Sequence, residues 1–313
     1  MKNKDTARLG FVMMNYAAPR ELSDPIEKVL WHMEKTKALG GGVTQFGMPS
    51  FPYKWEQKNL DAVKEQMIKT DNELELGAQI FGISMGMSDG SLADSRRKEI
   101  LEILEPQLKA AQYLGVKILR GSYGRLNVEV SRYNQNYPLK EHIKFVKDNL
   151  KEAAKIFEDY DLYFALENHC DFKAKEFADI FGEVNSKHIG CTYDTGNGFT
   201  VFCDPNEDVE YLAKHTFTVH VKDMKVEDYK STDSLIPMLP RGCPLGEGHV
   251  DIPYAFDLID KESPFAANLH LIIEQTWMNY GNIAFDDRDG KEAFHKDCIE
   301  KGMLYLNKLL GRK

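Results

Sequence analysis

The chain has 313 residues, of which 40 are basic and 49 acidic, a formal charge of −9, with 42% hydrophobic and 28% charged side chains; this balance excludes a disordered or collagen-like chain. An acidic surplus without a basic run argues against nucleic acid, whose backbone demands clustered Lys and Arg, and no apolar run reaches the roughly 18 residues that span a bilayer. No small-residue cleavage site follows residues 1–15, and Cys170, Cys191, Cys203, Cys243 and Cys298 are odd in number, widely spread and without CxxC spacing, so a secreted disulfide scaffold and a zinc ribbon are excluded and a cytoplasmic protein with reduced thiols is expected.

In chain order, short apolar runs bounded by polar or glycine punctuation read as buried strands, and the longer amphipathic stretches between them read as helices. The first strand covers 9–16. It runs into Asn15-Tyr16-Ala17-Ala18-Pro19, without the glycines that a dinucleotide-binding open sheet places there. A helix over 24–38 follows, opened by Ser23 before Asp24-Pro25 and stopped by Leu39-Gly40-Gly41-Gly42. Next come a strand over 42–47, a helix over 54–73, a strand over 76–85, and a helix over 95–114 that ends at Leu114-Gly115. The strand over 116–121 precedes a helix over 139–159. The strand over 162–169 precedes a helix over 174–185. After a strand over 189–194, Asp204-Pro205-Asn206-Glu207 opens a helix over 205–214, with Asp as cap and Pro at the first helical position. A strand over 216–222, a helix over 252–261, a strand over 269–275 and a helix over 290–310 complete eight β-α units. Eight such units in strict succession predict a parallel (β/α)8 TIM barrel, which leaves no sheet edge. No linker, repeat or low-complexity tract divides residues 1–313, so one domain is expected.

In a barrel the chemistry lies where strands end at the C-terminal face. The last four strands end in Glu167-Asn168-His169, Asp194-Thr195-Gly196-Asn197, His220-Val221-Lys222-Asp223 and Glu274-Gln275. Any one of these residues could be a strand-end hydrogen bond or a helix cap. Three carboxylates (Glu167, Asp194, Glu274) capping apolar strands on one face need a partner, because burying one unpaired carboxylate costs several kcal/mol. A divalent cation with an imidazole from His220 supplies it. Three oxygen donors and one nitrogen suit Mn²⁺ best, with Mg²⁺, Co²⁺ and Zn²⁺ also admitted.

The two-residue period of a strand turns His169 inward with Glu167, and Lys222 inward with His220, leaving Asp223 facing the helices. His169 is then a support to the site or a substrate contact, and Lys222 needs an anionic partner. The long segment 225–248 carries Pro240-Arg241-Gly242-Cys243-Pro244. A loop of that length is usually functional, and the planar fork of Arg241 suits a carboxylate or phosphate. Arg120 in Leu119-Arg120-Gly121-Ser122 adds a second arginine at the barrel mouth. Two arginines and a lysine around a cation suggest a substrate with negative charge.

These strand-end motifs, with Pro244-Leu245-Gly246-Glu247-Gly248-His249-Val250-Asp251 and the final Ile273-Glu274, resemble the sugar phosphate isomerase/epimerase family of the xylose isomerase-like barrel superfamily. The resemblance is strong in the C-terminal half and rests on the β-α rhythm in the N-terminal half. It implies one divalent metal held by Glu167, Asp194, His220 and Glu274. It also implies that Glu167 and Glu274 act as an acid/base pair, one removing the proton beside a carbonyl and the other returning a proton from the opposite face. Related epimerases often place a His where Asn197 stands, which makes Asn197 a candidate substrate contact. The same Asn197 and the Arg120-Gly121-Ser122 run depart from the histidine-rich site of endonuclease IV. The resemblance further implies a sugar or sugar-acid substrate and a homo-oligomer. Two other readings stay open: a lyase on the same scaffold, such as a sugar-acid decarboxylase or a dehydratase, and a sugar-binding barrel without chemistry. Retention of both glutamates argues against the last.

Overall fold

A parallel strand buried on both faces carries apolar residues toward the helices, and inside the barrel it holds polar ones only where partners wait. The structure, a computed structural model, describes residues 1–46, 56–78, 80–81, 95–124, 132, 138–228 and 238–312. Its strands are β1 (Arg8–Val12), β2 (Val43–Gln45), β3 (Glu73–Gly77), β4 (Ile118–Ser122), β5 (Tyr163–Glu167), β6 (Ile189–Asp194), β7 (Thr216–Val221), β8 (Asp223–Asp228), β9 (Met238–Cys243) and β10 (His270–Ile273). Eight of them close into a barrel in the order β1-β2-β3-β4-β5-β6-β7-β10, every neighbouring pair parallel. The helices are α1 (Pro25–Ala38), α2 (Gln57–Thr70), α3 (Ser95–Leu114), α4 (Leu139–Asp159), α5 (Ala174–Val184), α6 (Pro205–Leu212), α7 (Ile252–Glu262) and α8 (Arg288–Leu309). The (β/α)8 TIM barrel expected from the alternation is the architecture formed. No helix of the described residues is long and apolar enough to cross a membrane.

The alternation sorts side chains into two environments. Leu9, Phe11, Leu74, Leu76, Leu119, Phe164, Leu166, Val219, Val221, Leu271 and Ile273 belong to the main core with the helices. Their strand neighbours point inward, where two small apolar clusters form: Val12 with Val43 and Ile272, and Ile118 with Ala165 and Phe217. A register shift between Cys191 and Thr192, where β6 pairs with β7, brings Asp194 opposite His220. That juxtaposition sets two of the candidate residues side by side.

Helix ends follow the local chemistry. Asp204 caps α6 by accepting from the Asn206 N–H at 2.9 Å, with Pro205 in the first helical position. The α1 cap is Asp24, not Ser23: its carboxylate accepts from the Ile26 N–H at 2.6 Å, one residue nearer the helix than expected. Gly40 and Gly115 stop α1 and α3 with φ of 77° and 75°, a left-handed conformation open to glycine at little cost.

Three elements differ from the sequence expectation. β1 ends at Val12, short of residue 16, because Met13–Asn15 form a 3-10 helix that turns Asn15 inward onto the Gln275 backbone. β3 begins at Glu73, three residues before the expected start at Leu76, and ends at Gly77, so Ala78, Ile80 and Phe81 of the expected run follow the strand; Gln79 and 82–85 lie outside the described residues, as do Gly47, 54–55 and Pro237. The cause is Glu75, fully buried and hydrogen-bonded inside the barrel, so its strand does not read as an apolar run. The segment after β7 is not simply a loop. β8 and β9 pair antiparallel, Asp223 opposite Cys243 and Lys225 opposite Arg241. Asp223 faces away from the barrel mouth, as its period implied, and accepts from the Gly246 and Gly248 N–H groups at 2.9 Å, which ties the foot of this ribbon to the turn before α7.

Candidate metal centre

The C-terminal ends of β5, β6, β7 and the residue after β10 place Glu167, Asp194, His220 and Glu274 together. One donor atom from each lies within 4.8 Å of all the others, and all four residues are buried. The His220 Nδ1 atom stands 3.6 Å from Glu167 Oε1, 3.6 Å from Glu274 Oε2 and 3.9 Å from Asp194 Oδ2. These separations exceed hydrogen-bond length, and Nδ1 is buried without a hydrogen-bond partner. A nitrogen so placed among three carboxylate oxygens fits a cation in the space between them, since buried polar atoms otherwise find partners. Mixed carboxylate and imidazole donors suit a divalent ion of the Mg²⁺, Mn²⁺, Co²⁺ or Zn²⁺ type.

Surrounding groups fix the carboxylates. Arg120 on β4 donates to Glu167 Oε2 at 2.5 Å, and Asn197 donates its amide to Glu167 Oε1 at 3.3 Å and to the Asn168 carbonyl at 3.0 Å. Asp194 Oδ1 accepts from the Gly196 and Asn197 N–H groups at 2.9 and 3.1 Å. Asn168 holds the Asp194 backbone from both sides, accepting from its N–H at 2.6 Å and donating to its carbonyl at 3.0 Å. The Lys222 ammonium touches Asp194 Oδ2 and Glu274 Oε2, both at 2.7 Å, and Asn197 Oδ1 at 2.9 Å. Its three donors thus meet three acceptors. The Trp277 ring lies 4.7 Å from the same Nζ, and Trp277 itself sits at φ 53°, a strained conformation of the sort found at functional sites.

Charge coupling follows from this packing. Burial opposes ionisation of Glu167, but Arg120 and His220 bring its carboxyl down to about 2. Burial also opposes a charged Glu274 and is outweighed by Lys222 and His220, which hold it well below the usual carboxylate range. Burial disfavours a charged imidazole at His220, yet Glu274 and Glu167 lift it to about 9. Asp194 rises to about 6 because burial outweighs the Lys222 charge.

Of the residues singled out from the sequence, the structure brings together Glu167, Asp194, His220, Glu274, Arg120, Asn197 and Lys222. His169 lies at the edge, its Nδ1 hydrogen-bonded to the Gly124 carbonyl at 2.9 Å and its ring 6.1 Å from that of Trp277. Arg241 is on β9 and forms no ion pair with a described residue of the cluster. Sequence reading passed over Asn168, which shares a strand-end motif with Glu167, and Trp277. It also passed over Gln45 and Glu75, although Glu73-Leu74-Glu75-Leu76 shows the two-residue alternation of a strand.

Residues 33–298 match the family model described as xylose isomerase-like TIM barrel. No curated protein sequence matches the chain. Among solved structures, D-psicose 3-epimerase with D-tagatose from Clostridium cellulolyticum H10 is 13% identical at a TM-score of 0.65, over 96% of this chain and 99% of that one. A xylose isomerase-like TIM barrel protein from Mycobacterium smegmatis in complex with magnesium is 13% identical at 0.66, over 99% and 98%. The probable 3-DHS dehydratase from Bacillus anthracis is 15% identical at 0.64, over 96% and 98%. At such identities the likeness is one of fold.

Proposed function

The chain belongs to the xylose isomerase-like TIM barrel family, and from that premise we propose that it is a divalent-metal-dependent isomerase or epimerase of a ketose, keto-sugar or sugar acid. The observation that carries this reading is the His220 Nδ1 atom, buried without a hydrogen bond and faced by Glu167, Asp194 and Glu274. Those four residues would hold the metal, most suitably Mn²⁺. When bound, the metal polarises a substrate carbonyl, acidifies the neighbouring C–H and stabilises the charge of the enediolate.

The chain's own residues supply the rest. Glu167 and Glu274 come from β5 and the end of β10, on different sides of the cluster, and serve as the acid/base pair: one takes the proton beside the carbonyl and the other delivers a proton to the opposite face. Arg120 keeps Glu167 ionised and oriented. Lys222 keeps Glu274 ionised and offsets part of the burial that raises Asp194. Asn197, His169 and Arg241 are proposed substrate contacts, the first already donating to Glu167. Two similar structures are named as D-psicose 3-epimerase and as a probable 3-DHS dehydratase, which supports an epimerase reading first and a lyase reading beside it. The lyase reading stays second, on the strength of the dehydratase.

A screen of ketoses, keto-sugars and sugar acids in deuterated water with Mn²⁺ tests the reading. Deuterium uptake beside the carbonyl is expected for at least one of them. No uptake from any, with Mn²⁺ bound, overturns it; release of CO₂ or loss of water transfers the site to the lyase reading.

The site also sets a pH dependence. A cation approaching Nδ1 must displace the proton that His220 holds up to about pH 9. Mn²⁺ affinity is therefore expected to rise about tenfold per pH unit below that value and to level off above it. It falls more steeply once Asp194 also takes a proton, near pH 6. Calorimetric titrations with Mn²⁺ across this range check the slope.

A further inference from the structure

We propose that Gln45 is the positioning residue of the metal-binding histidine, locked in that role by a buried Glu75–His270 pair in the barrel interior; the inference rests on the metal reading above. His220 Nε2 meets Gln45 Oε1 at 2.9 Å. Gln45 Nε2 donates to Glu75 Oε2 at 2.9 Å, and His270 Nδ1 meets Glu75 Oε1 at 2.6 Å. His270 Nε2 meets Glu73 Oε2 at 2.9 Å, and Arg8 pairs with Glu73 Oε1 at 2.7 Å. Thus one continuous line of polar contacts runs from the candidate metal centre down through the barrel to its N-terminal end, where Glu73 is partly exposed. The Gln45, Glu75 and His220 side chains are wholly buried, and that of His270 nearly so.

The direction of each hydrogen bond follows from the groups that make it. Glu75 sits against His270, and Glu73 and Glu75 together offset burial and keep that imidazole charged up to about pH 9. Burial of Glu75 is likewise outweighed by His270, which lowers its pKa. An ionised carboxylate only accepts, so the Gln45 amide must turn its NH₂ toward Glu75. Its oxygen is then left facing His220, and an amide oxygen only accepts. The His220 Nε2 atom must therefore carry the proton of that bond. In the neutral ring the other nitrogen, Nδ1, is bare, and Nδ1 is the atom that faces Glu167, Asp194 and Glu274. A flipped amide would set its oxygen against the Glu75 carboxylate, two acceptors with no proton between them. The Glu75 charge thus chooses, at one remove, which imidazole nitrogen is offered to the cation, the kind of orientation that partners behind a ligand provide.

Mn²⁺ calorimetry on Gln45→Met and Glu75→Gln, with thermal unfolding followed in parallel, tests the assignment. Gln45→Met keeps the volume and removes the acceptor; Mn²⁺ affinity is expected to fall about ten- to a hundredfold. Glu75→Gln leaves the Gln45 amide free to turn and is expected to lower affinity in the same direction by a smaller factor. A third measurement needs no substitution: nitrogen-15 spectra of the wild-type chain loaded with diamagnetic Mg²⁺ should show the His220 proton on Nε2, sheltered from exchange. A proton on Nδ1 in that state, or folded variants whose affinity stays within twofold of wild type, overturns the role of Gln45 alone. A wild-type chain that takes up neither Mn²⁺ nor Mg²⁺ overturns the metal reading and this inference together.

Discussion

Turnover of the Glu167→Gln chain is expected to fall by about a hundred- to ten-thousandfold at saturating Mn²⁺, the range lost when a positioned acid or base is removed. The substitution keeps the side-chain shape and takes away both the charge and the basic lone pairs. In the wild-type site, burial would favour the neutral acid, but Arg120 and His220 hold Glu167 ionised down to about 2, so the base form is present at every working pH. A carboxylate that acidic is a weak base alone. It suffices only for a C–H bond already acidified by a neighbouring polarised carbonyl, which is why its removal and loss of the cation should each silence the reaction. Glutamine at 167 also leaves the Arg120 guanidinium, 2.5 Å away, without its counter-charge, and Mn²⁺ affinity should drop as well. Steady-state kinetics over a Mn²⁺ series separates the two effects: a kcat that recovers to within threefold of wild type at high Mn²⁺ would leave Glu167 a metal ligand and remove it from the acid/base pair.

The second large effect is on stability. Lys222→Met is expected to destabilise the metal-free chain by about 3–5 kcal/mol, the usual loss when one partner of a buried ion pair is deleted. The Lys222 side chain is 1% exposed and its ammonium bridges Asp194 and Glu274 at 2.7 Å each. Methionine fills a similar volume, so the loss is one of charge: two carboxylates remain buried beside Glu167 with one fewer cation to offset them. A divalent ion restores that charge. Mn²⁺ should therefore raise the unfolding temperature of the variant by more than it raises that of wild type. Equal unfolding temperatures for the two metal-free chains would mean that Asp194 or Glu274 is already protonated in the folded state and that Lys222 is not needed to neutralise them.

Much of this architecture could be read before any coordinates. Parallel strands with helices on their outer face advertise themselves as apolar runs, and six of the eight barrel strands fall close to where such runs lie. The polar ends of four of those strands stand out because nothing in a buried strand requires Glu167, Asp194, His220 or Glu274. Period two then carries Lys222 to the same side as His220. Other features resisted for definite reasons. Glu73 and Glu75 make β3 look like the end of a polar helix, because the partner that justifies Glu75 inside the barrel, His270, is 195 residues away along the chain. Gln45 carries no charge to attract notice, and its link to His220 spans 175 residues. The β8–β9 ribbon is built from mixed residues such as Lys225, Glu227 and Arg241, and the sequence between its strands, 229–237, contains no glycine to signal a hairpin. Lys222 shows both sides of the matter: its need for an anionic partner is legible from its inward direction, whereas the identity of its partners depends on the convergence of β6 and the end of β10.

Crystals grown with Mn²⁺ and measured at the manganese absorption edge address the central claim most directly. One anomalous peak per chain is expected between Glu167, Asp194, His220 and Glu274, within bonding distance of His220 Nδ1 and of an oxygen from each carboxylate. A peak elsewhere with this cluster empty, or a cation bound through His220 Nε2 instead, would contradict it.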